Sequence, residues 1–340
     1  MSGRGRAPSE ATAPHTLTAG NGLARGRLDG VGRGRVSEIQ RGRMLAALVE
    51  VVNERGVANV TVADIVGRSG VSRRTFYEMF DDREDCLLAA FEDALHRIAV
   101  VVIPAYAQPV KWQEKIRAGL TAFLGFLDNE RATGRLVIVE SAGAGNHVLE
   151  RRERVLERTI TAIDQGRTEA KHKDPPPPVA AEGILGGVLS ILHTRLSQDT
   201  NTPLLELTGP LMSMIVLPYL GPAAARKELQ RPTPQHHPKP PQGPSDPLRD
   251  IEMRLTYRTV RVLTAIAELG GRGSYPSNRQ VGEASGMQDQ GQISKLLARL
   301  HRLGLIHNTG IGPTKGAPNA WTLTPTGNHI QQTIQQQTHK

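Results

Sequence analysis

The 340-residue chain is predicted to be all-α, with one small β-hairpin near its C-terminus. Apolar residues recur with the 3.6-residue period of a helix over most of residues 36–220, and no useful alternating run interrupts them. Aromatic residues make up only 4% of the sequence, which argues against a sheet-rich fold. Only Leu305–Asn308 and Ala320–Leu323 have the short β-like pattern of strands.

The chain is basic at both ends. It contains 42 Lys and Arg against 33 Asp and Glu, a net charge of +9. Residues 1–35 hold six Arg against two acids, and residues 231–340 hold thirteen basic against six acidic side chains. The surplus indicates a polyanionic partner, which charge alone does not assign to DNA, RNA or a membrane face.

Several classes of protein are excluded by what the sequence lacks. With Cys86 as the only cysteine, an internal disulfide framework and a Cys-based zinc site are excluded, and no metal or cofactor is predicted. The chain has no apolar run of the roughly 18 residues that a membrane span needs, and no signal peptide, so a cytoplasmic protein without membrane contact is expected. It also has no HExxH, Walker or GxGxxG motif and no supported Ser/His/Asp set, so it is predicted not to be an enzyme.

Cys86 lies in an apolar helix between Asp85 and Leu87. It is interpreted as a small packed side chain, because a redox sensor requires an exposed and electropositive site.

Two segments are predicted to lie outside folded domains. Residues 1–35 are an Arg/Gly-rich arm with too few aliphatic residues to fold, serving either solubility or additional phosphate contacts. Residues 222–249 contain many prolines among polar residues and are predicted to be a semi-rigid linker.

The densest functional signal lies between Thr61 and Leu87. Thr61 can cap a short helix, Gly70 permits a tight turn, and Ser72 can cap a second helix that ends near Met79. Phe76 faces inward in that helix, which directs Arg74 outward. Two short helices joined by a glycine turn, with a basic second helix, favour reading of a DNA major groove.

This stretch resembles the DNA-binding domain of the TetR family of transcriptional regulators. The residues that carry the resemblance are Gly56, Thr61-Val62-Ala63-Asp64-Ile65, Gly70-Val71-Ser72, Thr75-Phe76-Tyr77, Phe80, Arg83-Glu84 and Leu87. It covers residues 37–98 and implies a three-helix DNA-binding domain at 36–98, with Arg83 where the family usually has Lys. The resemblance implies that Thr61, Ser72, Tyr77 and Arg83 contact phosphates and that Arg73, Arg74 and Thr75 reach base edges.

By the same resemblance, residues 99–221 form a helical ligand-binding and dimerisation domain. Ala180–Ser197 and Leu204–Leu217 would build a four-helix dimer interface, in which three glycines allow close approach, or else be ordinary core helices. Those glycines are Gly183, Gly186 and Gly187. The side chains that line a ligand cavity, or simply fill the core, are Trp112, Phe123, Phe126 and Leu127, and no ligand-binding residue is assigned. A solvated helix face is expected at Glu140, Arg151, Arg152 and Glu153.

Residues 250–340 are predicted to hold three helices, a β-hairpin and a final helix, similar to a MarR-like winged helix. Ser277–Ala284 would support a recognition helix at Asp289–Leu303. The outward side chains of that helix and its wing, proposed as a second DNA contact, are Ser294, Lys295, Arg299, Arg302 and Lys315. The alternative is a winged helix that contacts a protein or the chain's own reading head; the basic face favours DNA.

Together these features predict a homodimeric repressor that binds double-stranded DNA at a pseudo-palindromic operator. A small-molecule effector bound among the middle helices would release it.

Overall fold

The computed structural model describes residues 21–108, 110–170, 176–198, 202–234, 256–270, 275–310 and 319–336. The chain divides into two compact units. The central unit is Ile39–Leu255, and the terminal unit combines the chain from Thr256 onward with the part before Ile39.

Helices dominate the described part of the central unit. In chain order they are α1 (Asn21–Arg55, which begins in the terminal unit), α2 (Val62–Ser69), α3 (Arg73–Tyr77), α4 (Arg83–Tyr106), α5 (Trp112–Asn129), α6 (Arg131–Ile138), α7 (Asn146–Asp164), α8 (Ala180–Ser197), α9 (Thr208–Leu220) and α10 (Pro222–Gln230). Short 3-10 turns lie at Val57–Asn59, Glu140–Gly143, Gln165–Glu169 and Leu204–Leu207.

The described part of the central unit has two apolar cores. The first packs α1–α4 around Leu48, Ile65, Phe76 and Phe91. Side chains from the α6–α7 region join it, namely Leu136, Val137, Ala144 and Val148. Because α4 runs without a break past residue 98, the predicted division between residues 98 and 99 falls inside one helix.

The second core joins α5, α8 and α9. Trp112 and Tyr219 meet there edge to face, with ring centroids 5.2 Å apart. The Trp112 indole N–H donates to the carbonyl of Ala162 at 2.9 Å. Gly166 permits this packing, since a Cβ there would lie 2.6 Å from the indole ring.

Both segments predicted to lie outside folded domains are partly helical. Residues 21–35 belong to α1, because extending an existing helix costs far less than nucleating a new one; residues 1–20 lie outside the described residues. The predicted linker begins later than expected, because Pro222–Gln230 forms α10 with Pro222 in its first turn, where proline is compatible with a helix. Residues 235–249 of that linker also lie outside the described residues.

The described residues of the terminal unit form four further helices and two short strands. They are α11 (Tyr257–Gly270), α12 (Asn278–Ser285), α13 (Gln290–Arg302), β1 (Ile306–Asn308), β2 (Trp321–Leu323) and α14 (Pro325–Gln336). The strands pair antiparallel, with His307 opposite Thr322. α12 packs against both α11 and α13, and Leu263 of α11 is buried, as are Ile293 and Leu297 of α13.

In the part of the chain that is described, the helices are too short or too polar to span a membrane.

Candidate nucleic-acid interface

The α2–α3 pair is held by caps that the sequence predicts. The Thr61 hydroxyl accepts from the backbone N–H of Asp64 at 3.2 Å, and the Asp64 carboxylate accepts from the backbone N–H of Thr61 at 3.1 Å. The Thr61 hydroxyl also donates to the Asp64 carboxylate at 2.6 Å, and this bond, with the bond from the Thr61 backbone N–H and the charge of Arg55, lowers the pKa of Asp64. Gly70 ends α2 with a φ of 66°, the left-handed conformation that glycine adopts without strain.

Aromatic side chains fix the orientation of α3. Ser72 caps the helix, its hydroxyl accepting from the backbone N–H of Thr75 at 3.0 Å. Phe76 is fully buried, and its ring lies 5.5 Å from that of Phe80 and 5.4 Å from that of Tyr77. With one face held in the core, the opposite face of α3 is directed to solvent.

That exposed face holds the predicted reading residues. Arg73 is exposed, and the Arg74 side chain is 88% exposed while its Nε donates to Glu78 at 2.9 Å. Such an exposed pair contributes little stability, so an incoming base or phosphate can compete for the guanidinium. Tyr77 is 55% exposed, a large value for an aromatic side chain beside a core.

The other predicted contact residues also have structural partners. The hydroxyls of Ser72 and Thr75 lie 2.8 Å apart within the α3 cap. Arg83 is half-buried, and its guanidinium donates to the carbonyls of Val57 and Val60, both at 3.3 Å. Arg83 therefore holds the turn before α2.

Glu140 is a residue that sequence reasoning placed wrongly. The expected solvated face does not include it, since its side chain is 15% exposed and accepts from the backbone N–H of Val57 at 2.9 Å. The two residues are 83 positions apart, so no local pattern could have indicated the contact.

A second basic face lies on α13. Ile293, Leu297 and Leu300 are buried, whereas Ser294, Lys295, Arg299 and Arg302 are exposed. Four of the five residues predicted for the second DNA contact therefore lie exposed on α13. The fifth, Lys315, lies outside the described residues.

A polar network that the sequence did not reveal joins this face to the strands. The Trp321 indole N–H donates to the Asn278 side-chain carbonyl at 2.6 Å, and the Asn278 amide donates to the Ser294 hydroxyl at 3.0 Å. The Ser277 capping box with Gln280 starts α12 beside it. These contacts fix α12, α13 and β2 as one support for the basic face.

The predicted dimer helix α8 has an open side. Gly183 and Gly186 are exposed with free space where a Cβ would stand, whereas a Cβ at Gly187 would lie 3.4 Å from the Met214 side chain of α9. Leu217 of α9 is 46% exposed. Of the predicted cavity-lining side chains, Trp112, Phe126 and Leu127 are buried core residues, and Phe123 is half-buried.

Cys86 is expected to resist thiol reagents in the folded chain. Its side chain is fully buried, and burial, assisted by Asp85, raises the pKa of the thiol from its ordinary 9.0 to about 12. Above pH 9 the thiol ionises in the unfolded chain but not in the folded one. The contribution of this thiol to the free energy of unfolding is therefore fully present below pH 9 and is lost as the pH rises toward 12. Ellman's reagent at pH 8 should label native protein at a small fraction of the rate seen in denaturant; equal rates would contradict the packed position.

Among the described residues, no three His, Cys, Asp or Glu side chains are grouped so that they could hold a metal ion.

Comparison with known proteins supports the interpretation of α2–α3. Residues 44–90 match the family model described as bacterial regulatory proteins of the tetR family. A comparison with curated protein sequences found no match.

Three similar solved structures are regulators. They are the fatty acid degradation regulator FadR from Bacillus halodurans (17% identity, 52% of this chain and 94% of that one, TM-score 0.47), FadR from Bacillus subtilis in complex with stearoyl-CoA (19%, 51% and 96%, 0.45) and a TetR-like regulator from Rhodococcus sp. RHA1 (18%, 52% and 94%, 0.44). Over residues 44–90, a segment that includes α2 and α3, the chain is thus similar to the tetR family of bacterial regulatory proteins.

Proposed function

We propose that this protein is a cytoplasmic, homodimeric repressor that reads a pseudo-palindromic operator with α3 and contacts DNA a second time through the terminal unit. The observation that carries the proposal is the exposed face of α3. Arg73, Arg74 and Tyr77 lie on one side of a helix whose other side is fixed by Phe76 in the core. A capped, rigidly seated short helix with arginines on its outer face suits base reading in the major groove.

Each group on this face has a distinct task in DNA binding. The guanidinium of Arg74 can donate two parallel hydrogen bonds to a guanine edge. In this proposal Arg83, Thr61 and the Tyr77 hydroxyl contact phosphates, and these contacts set the register of the helix on the duplex.

The open side of α8 supports the dimer. Gly183 and Gly186 would allow a partner helix to approach closely, and exposed Leu217 would be covered by it. In a twofold dimer two copies of α3 read two half-sites related by inversion, so the operator should be an inverted repeat.

A small-molecule effector would act in the central unit. Phe123 stays half-buried against the second core and is a candidate contact for such a ligand. One form of the dimer can bind both half-sites, and another form cannot. The effector releases DNA only if its affinity for the second form is higher than its affinity for the first.

The terminal unit has the element order of a winged helix, with α13 as its reading helix. Lys295, Arg299 and Arg302 share the exposed side of α13, and no carboxylate lies among them on that face between Asp289 and Arg302. A basic face of this kind favours a phosphate backbone over a protein surface.

Replacement of Arg74 by alanine is expected to weaken base discrimination about tenfold to a hundredfold, the value of one good bidentate base contact. Affinity for the best duplex, selected from a random-sequence pool by the wild-type chain, would be compared with affinity for single-base variants of it. Arg158→Ala removes the same charge from an exposed position of α7 and should leave discrimination unchanged. If the two variants behave alike, α3 is not the reading helix; if the selected duplex lacks an inverted repeat, the dimer proposal is wrong.

The second contact has its own test in the full-length chain. Combined alanine substitution of Lys295, Arg299 and Arg302 should flatten the log–log dependence of DNA affinity on salt by about two to three units, since each phosphate contact contributes about 0.9. The charge-matched control is Arg154, Arg158 and Arg226, all exposed and remote from α3 in sequence. An equal effect of both triple variants would contradict a DNA contact through α13.

A further inference from the structure

The first backbone N–H of the 3-10 turn Val57–Asn59 is capped from a distant part of the chain. It donates to Oε2 of Glu140 at 2.9 Å. The preceding residue, Gly56, has a φ of 76° and no side chain that could provide a local cap. A carboxylate at this position satisfies an N–H that the turn leaves unpaired, and the peptide dipoles favour its negative charge.

The same turn is held from its other side by Arg83. The guanidinium donates to the carbonyl of Val57 and to that of Val60, which ends the turn. Val57 therefore donates to Glu140 through its N–H and accepts from Arg83 through its carbonyl. A change in the position of the turn must alter the geometry of Arg83. This residue is the first of α4, the helix that follows α3 in the chain.

Glu140 is connected in turn to α6 and α8. Its other carboxylate oxygen lies 3.9 Å from a guanidinium nitrogen of Arg135, and Arg135 donates to the carbonyl of Leu196 in the last turn of α8 at 2.7 Å. With only 15% of the Glu140 side chain exposed, these interactions are weakly screened by solvent. The contacts form one chain from the end of α8, through α6, to the turn that Arg83 holds.

We propose that Glu140 is a positioning residue for DNA binding. It caps the Val57–Asn59 turn, keeps Arg83 in the orientation from which it meets a phosphate, and joins this arrangement to α6 and α8. The inference rests on the proposed DNA-binding function and adds a residue outside the α1–α4 segment to its machinery.

The test combines amide exchange with a double-mutant cycle in the full-length chain. Glu140→Ala should raise amide exchange of the segment around Val57 at least tenfold and lower affinity for the selected duplex about tenfold, as expected for one lost charge-assisted hydrogen bond. Glu140→Gln keeps an acceptor of the same shape and should lower affinity less, about threefold. In an Arg83→Met background neither change should lower affinity further, because the effect acts through Arg83. Glu153→Ala, an exposed carboxylate on α7, is the control and should change neither readout.

Different results separate the two proposals. Unchanged exchange around Val57 in Glu140→Ala overturns the inference whether or not DNA binds. An affinity loss of equal size in both backgrounds also overturns it, since a general loss of stability would act independently of Arg83. A wild-type chain that selects no duplex from the random pool contradicts the proposed function itself.

Discussion

Replacement of Glu228 by alanine is expected to lower the free energy of unfolding of the central unit by about 3 kcal/mol. The carboxylate of Glu228 is fully buried between α10 and α5. It accepts from the Gln113 side-chain amide at 2.5 Å, from Arg231 at 3.1 Å and from Arg117. Truncation to alanine leaves Arg117, itself only 11% exposed, without its carboxylate, and an uncompensated buried charge is what makes breaking such a pair costly.

Hydrogen exchange in α5 and α10, followed by mass spectrometry, measures this loss in the unit concerned. Glu206→Ala removes an exposed carboxylate from the same unit and should change the free energy of opening by less than about 0.5 kcal/mol. Hydrogen exchange in α12 and α13 should be unchanged in both variants. A Glu228 variant that matches the Glu206 control would show that the buried cluster does not hold α10 in place.

Replacement of Gly327 by alanine is expected to destabilise the terminal unit by about 3 kcal/mol, at the upper end of overpacking effects. An added Cβ would stand 1.9 Å from the carbonyl oxygen of Leu305 and 3.0 Å from its carbon. That carbonyl already accepts from the backbone N–H of Thr324 at 3.1 Å, so α14 and the start of β1 would have to separate. The obstacle is backbone, which cannot turn aside as a flexible side chain can.

A second glycine in the same unit provides the matched comparison. Gly270 ends α11 with free space where a Cβ would stand, and Gly270→Ala should be neutral or slightly stabilising, by up to about 1 kcal/mol. Thermal unfolding and exchange in α13 measure both variants. If Gly327→Ala is as stable as Gly270→Ala, the close packing of α14 on the Leu305 carbonyl is wrong.

The α2–α3 pair was predictable because the sequence signals for it are local. The cap of α2 joins Thr61 to Asp64, and that of α3 joins Ser72 to Thr75, each across three residues. The terminal unit repeats the arrangement with Ser277 and Gln280. Interactions of this range depend on neighbours along the chain, so residue type and spacing are enough to indicate them.

Predictions from composition were less successful where helices depend on their surroundings. The prolines of residues 222–249 predict a linker that includes Pro222–Gln230, yet this segment forms α10. A helix of nine residues is marginal alone in water, and α10 is stabilised by packing on α9 and by Glu228. The residues of α10 themselves, including three consecutive alanines, are compatible with a helix. The many prolines that follow it in the sequence favoured the prediction of a linker instead.

The amino-acid sequence by itself determined the class of the fold, the α2–α3 pair and the outward direction of Arg74, because helical period, capping residues and glycine turns act over three to four residues. Only the tertiary structure decided that Glu140 caps the Val57 turn, that Glu228 is a buried ion-pair partner, and that Trp112 fills a core against Gly166. These contacts join residues between about fifty and more than a hundred positions apart. Their partners are selected by packing and by the need to satisfy buried polar groups, and neither leaves a periodic trace in the sequence.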